Sequence, residues 1–209
     1  MISKALIDVQ TEWGVARSTL HVHAEPAARL AVLFPGNGYQ CDAPLLWYTR
    51  KAALLAGCDT LSLAYGYPLD PAKPMPEQVS CLAREASQAI SQVLKPSYGS
   101  LLFISKSLGT VVAGEVAGQA GGLPVTHLFL TPLGATIPFL RQSQGVMVSG
   151  TADKWFGDSC RTQVRNLSGL ELVEVPGAGH SLELDGDLPG SLQILSQVCE
   201  ICTRLASRA

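Results

Sequence analysis

Four consecutive apolar residues, Leu101-Leu-Phe-Ile104, lead straight into Ser105-Lys-Ser107-Leu-Gly109 and then the apolar segment Val111, Val112, Ala113 and Val116. A strand with no polar alternation is buried on both faces, which is the pattern of a central strand in a parallel sheet covered by helices. The residues that follow it tighten the constraint. A serine on a sharp strand-to-helix turn adopts a strained backbone, and the residues two before and two after it must be small. Here they are Ser105 and Gly109. Such a turn lifts the Ser107 hydroxyl clear of the sheet and points a helix N-terminus at the same place.

A serine acting as a nucleophile needs a base to take its proton and an acid to orient that base. One known chain order is Ser, then Asp or Glu, then His. That order is present. The apolar run Gly145-Val-Met-Val-Ser-Gly150 reads as a strand, and Thr151-Ala-Asp153 follows as the loop at its end. Leu170-Glu-Leu-Val-Glu-Val175 reads as the next strand, and Pro176-Gly-Ala-Gly-His180 is the loop beyond it. Asp153 and His180 thus lie past the C-terminal ends of strands, where open α/β sheets bind ligands. Asp158 is a rival for the acid, further from the strand end.

A third junction falls on the same edge, where Arg29-Leu-Ala-Val-Leu-Phe34 empties into Pro35-Gly-Asn-Gly-Tyr39. Acyl transfer needs backbone N–H groups aimed at the developing oxyanion. Leu108, directly after the serine, would supply one, and the early glycine loop, at Asn37, the other. Gly36 and Gly38 also invite a dinucleotide reading, but Cys41 stands where the third glycine of that fingerprint belongs, and no Gly-Lys-Ser or Gly-Lys-Thr phosphate loop occurs. No cofactor is expected.

With these residues the chain resembles the α/β-hydrolase superfamily from about Ala31 to Leu205, and in particular its small, lidless, dienelactone-hydrolase-like members. The resemblance implies a Ser107, Asp153, His180 triad with Leu108 and Asn37 as oxyanion donors. The chain departs from the family pattern in two places: Ser105 stands where glycine is usual, and Pro35 where many relatives carry histidine.

The remaining sequence fits one α/β domain spanning 1–209. Its expected architecture is a three-layer α/β/α sandwich around a mostly parallel eight-stranded sheet, without a cap domain. The segments 4–9 and 19–24 read as a hairpin at one sheet edge, and 60–65 as a strand. Helices are expected from Asp42 to Ala56 and from Pro76 to before Pro96, the latter burying Val79, Leu82, Ala86, Ile90 and Val93. Between the strands at 126–131 and 146–149 there is room for one short helix only. The proline-rich stretch from Tyr65 to Pro76 leaves its strand at the edge of Ser107, so Tyr65, Tyr67, Met75, Trp155 and Phe156, with Tyr39, are candidates for contacting substrate. Lys106 reads as a solvent-facing or helix-packing side chain.

Charged residues make up only 15% of the chain and the net charge is −2, so no basic footprint for nucleic acid or an acidic membrane is present. The N-terminus lacks the apolar core of a secretory signal, and a cytoplasmic location is expected. The six cysteines are therefore expected to be reduced. Cys199-X-X-Cys202 falls on a helical stripe of Leu188, Leu192, Leu195, Cys199, Cys202 and Leu205, read as a buried helix face rather than a metal or redox site. The expected activity is cofactor-independent hydrolysis of small-molecule acyl esters or thioesters. The alternative is a protein of the same fold that binds a ligand or partner without turnover, since architecture alone does not decide activity.

Overall fold

The computed structural model describes residues 1–118 and 122–207. The chain opens with a hairpin, β1 (Ile2–Thr11) and β2 (Gly14–His23), and continues through β3 (Arg29–Phe34), α1 (Pro44–Leu55), β4 (Asp59–Ser62), α2 (Met75–Val93), β5 (Ser100–Lys106) and α3 (Leu108–Ala117). There follow β6 (Val125–Leu130), a 3-10 turn (Gly134–Thr136), α4 (Ile137–Leu140), β7 (Gln144–Gly150), α5 (Asp158–Val164), β8 (Leu170–Val175) and α6 (Leu188–Ala206). The strands form one eight-stranded sheet in the order β1-β2-β4-β3-β5-β6-β7-β8. β1 and β2 pair antiparallel, as does β2 with β4, while β3 to β8 run parallel.

Burial on both faces follows directly from the apolar runs. In β3, Leu30, Val32 and Phe34 join α2 and α3 in one core, while Ala31 and Leu33 join α1 and α6 in the other. In β5, Leu101 and Phe103 divide from Leu102 and Ile104 in the same way. α2 buries all five of the residues that its spacing singles out. Only the 3-10 turn and the short α4 lie between β6 and β7, so this crossover carries no lid.

Two expectations need correction. β4 ends at Ser62, so Leu63 to Pro74 is a long loop. The C-terminal helix buries only part of the stripe read in the sequence, for Cys202 and Leu205 are buried and Leu195 and Cys199 pack partly against the same core. Its buried face is Ile194, Val198, Cys202 and Leu205, while Leu188 and Leu192 face solvent at 71% and 56% exposure. The second stripe is equally regular, with steps of four, four and three, and it meets α1 and the sheet. Cys202 packs there with its thiol donating to the Thr49 carbonyl, and burial pushes its pKa up. No helix among the described residues is long and apolar enough to cross a membrane.

Candidate active site

Ser107 sits between β5 and α3 at φ 53°, ψ −119°, a conformation that side-chain-bearing residues adopt at a cost of roughly 1–3 kcal/mol. Its surroundings hold it there. The Ser107 N–H donates to the Leu130 carbonyl, extending the β5–β6 ladder by one rung. Its own carbonyl accepts from the Thr110 amide at 2.9 Å and the Thr110 hydroxyl at 2.6 Å. Gly109 permits the turn to lie against β3, because a Cβ there would overlap the carbonyls of Phe34 and Pro35. Ser105, the other small residue, is fully buried between Phe34 and Phe129 of the neighbouring strands.

Asp153 lies three residues past β7 and is 2% exposed. One carboxylate oxygen accepts the Trp155 amide at 2.8 Å, and the other meets His180 Nδ1 at 2.8 Å. The loop is clamped by the buried Arg161 of α5, whose guanidinium donates to the carbonyls of Gly150, Thr151 and Phe156. Asp158, the rival acid, is exposed and pairs with that same arginine on its outer side. Asp153 is the carboxylate that reaches the histidine.

His180 is brought over the end of β7 by a close backbone approach. A Cβ on Gly150 would overlap the Ala178 carbonyl, and the Ala152 amide donates to that carbonyl at 3.0 Å. His180 Nε2 then stands 2.8 Å from Ser107 Oγ. A carboxylate only accepts, so Nδ1 carries the proton and Nε2 presents its lone pair to the serine hydroxyl. The three side chains form one hydrogen-bonded line, able to draw the proton off Ser107 Oγ as that oxygen attacks an electrophile.

The hydroxyl opens on a cleft of about 460 Å³. Asn37, Leu108 and His180 line it beside Ser107, and Met75, Leu133 and Trp155 give it most of its apolar surface. Leu108 is the first residue of α3, so its N–H has no intrahelical acceptor, and it directly follows the serine. Asn37 is at the tip of a tight reversal closed by paired Gly36 and Tyr39 backbone bonds.

Of the proposed substrate contacts, Trp155 and Met75 line the cleft. Tyr39, Tyr65, Tyr67 and Phe156 do not. The Tyr39 ring turns under Lys106 and its hydroxyl accepts the Leu45 amide. Tyr65 packs on the core with its hydroxyl buried, Tyr67 stacks edge-on against Trp13 of the β1–β2 turn, and Phe156 is wholly buried. The long loop after β4 turns Tyr67 onto the hairpin and Tyr65 onto the core. Leu133, Gly134 and Ala135 line the cleft from the loop after β6 and were missed. Their signal was available, since β6 ends at the same sheet edge. Thr136 ties that loop to the elbow, its hydroxyl bonded at 2.7 Å to that of Thr110. Lys106 is also placed against expectation, for it is 2% exposed and its Nζ donates to the His180 carbonyl at 2.9 Å.

An eight-stranded, mostly parallel sheet with a strained serine elbow after its central strand is the α/β-hydrolase fold, here in its lidless form. The chain is similar over nearly its full length to solved structures of that fold. A protein of unknown function from Agrobacterium tumefaciens matches with a TM-score of 0.77 at 15% identity, covering 96% of each chain. Dienelactone hydrolase from Anabaena variabilis matches at 0.72 and 14%, covering 97% of this chain and 98% of its own. A serine hydrolase without lid from Xanthomonas campestris matches at 0.71 and 11%, covering 99% and 97%. No protein-family model and no curated protein matches the sequence.

Proposed function

We infer that the protein is a cofactor-independent serine hydrolase that cleaves small to medium acyl esters or thioesters. The observation that carries this is the unbroken line from Asp153 through His180 to Ser107, each link 2.8 Å, ending on a strained serine at the mouth of a mainly apolar cleft. Ser107 Oγ attacks the acyl carbon while His180 Nε2 takes its proton, and Asp153 stabilises the resulting imidazolium. The oxyanion is met by the N–H groups of Leu108 and Asn37. Collapse expels the alcohol or thiol, which leaves with the proton from His180, and the acyl group stays on Ser107. Water then attacks the acyl-enzyme, giving one proton to His180, and the acid departs as Ser107 Oγ recovers that proton.

The apolar walls at Met75, Leu133 and Trp155 suit an acyl chain or an uncharged leaving group, and an open crossover suits substrates that need no enclosure. Resemblance to a dienelactone hydrolase and to a lidless serine hydrolase agrees with this reading at the level of fold.

The test is intact-mass analysis after treatment with a fluorophosphonate, which reacts with an activated serine. One adduct on the wild type and none on Ser107→Ala is expected, with 4-nitrophenyl acetate turnover falling by about 10⁴-fold or more in the variant. A folded wild type that takes no adduct would favour a ligand-binding role for the same fold. Adducts on both proteins would assign the nucleophile to another serine.

A further inference from the structure

We propose that Lys106 is a positioning residue whose ammonium ties the loop carrying the base to the loop carrying the second oxyanion donor. This rests on the reading of Ser107 as the nucleophile. Lysine is rarely buried without a partner, since removing an ammonium from water is costly, and an apolar residue would fill the end of β5 more cheaply. Lys106 is nevertheless 2% exposed and immediately precedes the serine. Its Nζ donates to the His180 carbonyl at 2.9 Å and stands 5.0 Å from the centre of the Tyr39 ring.

Both partners bear on the site. The His180 carbonyl belongs to the residue whose imidazole faces Ser107. Tyr39 closes the reversal that holds Asn37, and its hydroxyl anchors that reversal to the start of α1. One ammonium therefore pins two loops from opposite sides of the elbow. Its hydrogen bond to a carbonyl is charge-assisted and its contact with the ring is a cation–π interaction.

The charged and titratable groups around it come from three loops. Asp153 follows β7, His180 and Glu183 follow β8, with Glu183 acting on Tyr39, and Tyr39 follows β3. Burial draws the lysine pKa down to about 8, against the opposing pull of the Asp153 carboxylate. Above that pH the ammonium loses its proton, the carbonyl bond weakens and the ring contact loses its charge. Base and oxyanion loops then loosen, so activity falls on the alkaline side.

The experiment compares wild type, Lys106→Met, Tyr39→Leu and Tyr39→Phe. It measures kcat and KM for 4-nitrophenyl acetate, and the rate of fluorophosphonate labelling, from about pH 6 to about pH 10. Folding is checked by near-UV circular dichroism. Lys106→Met keeps the length of the side chain without its charge. It is expected to lose about 10- to 100-fold in kcat near neutral pH with KM within about threefold, and to lose the alkaline limb. Tyr39→Leu removes the ring, so the limb moves to lower pH, whereas Tyr39→Phe keeps the ring and leaves the limb in place. A residue that served packing alone would change the amplitude and not the limb.

A folded Lys106→Met with wild-type kcat and an unmoved limb overturns the proposal while the serine reading stands. Should Lys106→Met fail to fold, the tyrosine pair decides, and an unmoved limb in Tyr39→Leu overturns it equally. A wild type that the fluorophosphonate never labels overturns the serine reading and this proposal with it.

Discussion

Two aspartates are buried at opposite ends of the sheet, Asp59 at the start of β4 and Asp153 past the end of β7, and they serve different ends. Asp59 is fully buried and accepts from the His23 amide at 2.8 Å, the Tyr98 hydroxyl at 2.6 Å and the Lys95 ammonium at 3.1 Å. These donors stop at the carboxylate, and burial together with Asp59 raises the Tyr98 pKa, so its proton stays put. Asp153 is as deeply buried, yet one of its two partners is an imidazole whose second nitrogen reaches Ser107 beside the cleft. Burial of a charge does not by itself mark a site, because a fully satisfied carboxylate is a structural rivet. What distinguishes Asp153 is a partner that can hand a proton onward, placed at the sheet edge where strands run out into loops.

The contrast is open to direct attack. The largest effect is expected from Asp153→Asn, which leaves the imidazole poorly oriented and without its charge partner. Turnover of 4-nitrophenyl acetate should fall by roughly 10³- to 10⁴-fold while the far-UV circular dichroism spectrum is kept. Asp59→Ala should do the reverse. Leaving Tyr98, Lys95 and the His23 amide without their acceptor is expected to cost about 3 kcal/mol in urea unfolding, with the labelling rate of the folded fraction unchanged. A large loss of labelling in folded Asp59→Ala would erase the distinction between the two carboxylates. The smallest effect belongs to Trp155→Ala at the exposed rim. Its side chain walls the cleft but holds no polar atom in the line, so KM should rise about threefold with kcat little altered.

Much of the site is legible along the chain because each of its parts falls at a strand–loop junction. Ser107 and Asp153 each follow an apolar run that reads as a buried strand, His180 follows the half-polar edge strand β8, and parallel strands bring such junctions to one edge. Choosing Asp153 over Asp158 is a different matter. Both follow β7 closely, and the choice depends on Arg161, which occupies Asp158 and holds the Asp153 loop by its carbonyls. The placement of the tyrosines in the loop after β4 is not legible in the sequence for a similar reason. Proximity to the edge does not say which way a long loop folds, and contact with Trp13 and the core drew Tyr65 and Tyr67 away from the cleft.

The amino-acid order alone therefore determined the doubly covered parallel sheet, the elbow and the serine and histidine that meet there, and narrowed the acid to two aspartates. These depend on local sterics and on hydrophobic period, which act between near neighbours in the chain. Tertiary structure alone decided which of two regular stripes on α6 faces inward, where the loop tyrosines lie, and that Lys106 is enclosed by the His180 carbonyl and the Tyr39 ring. Each of these is set by partners distant in sequence. A lysine beside the elbow serine reads as solvent-facing or helix-packing until the loops that cover it are in place.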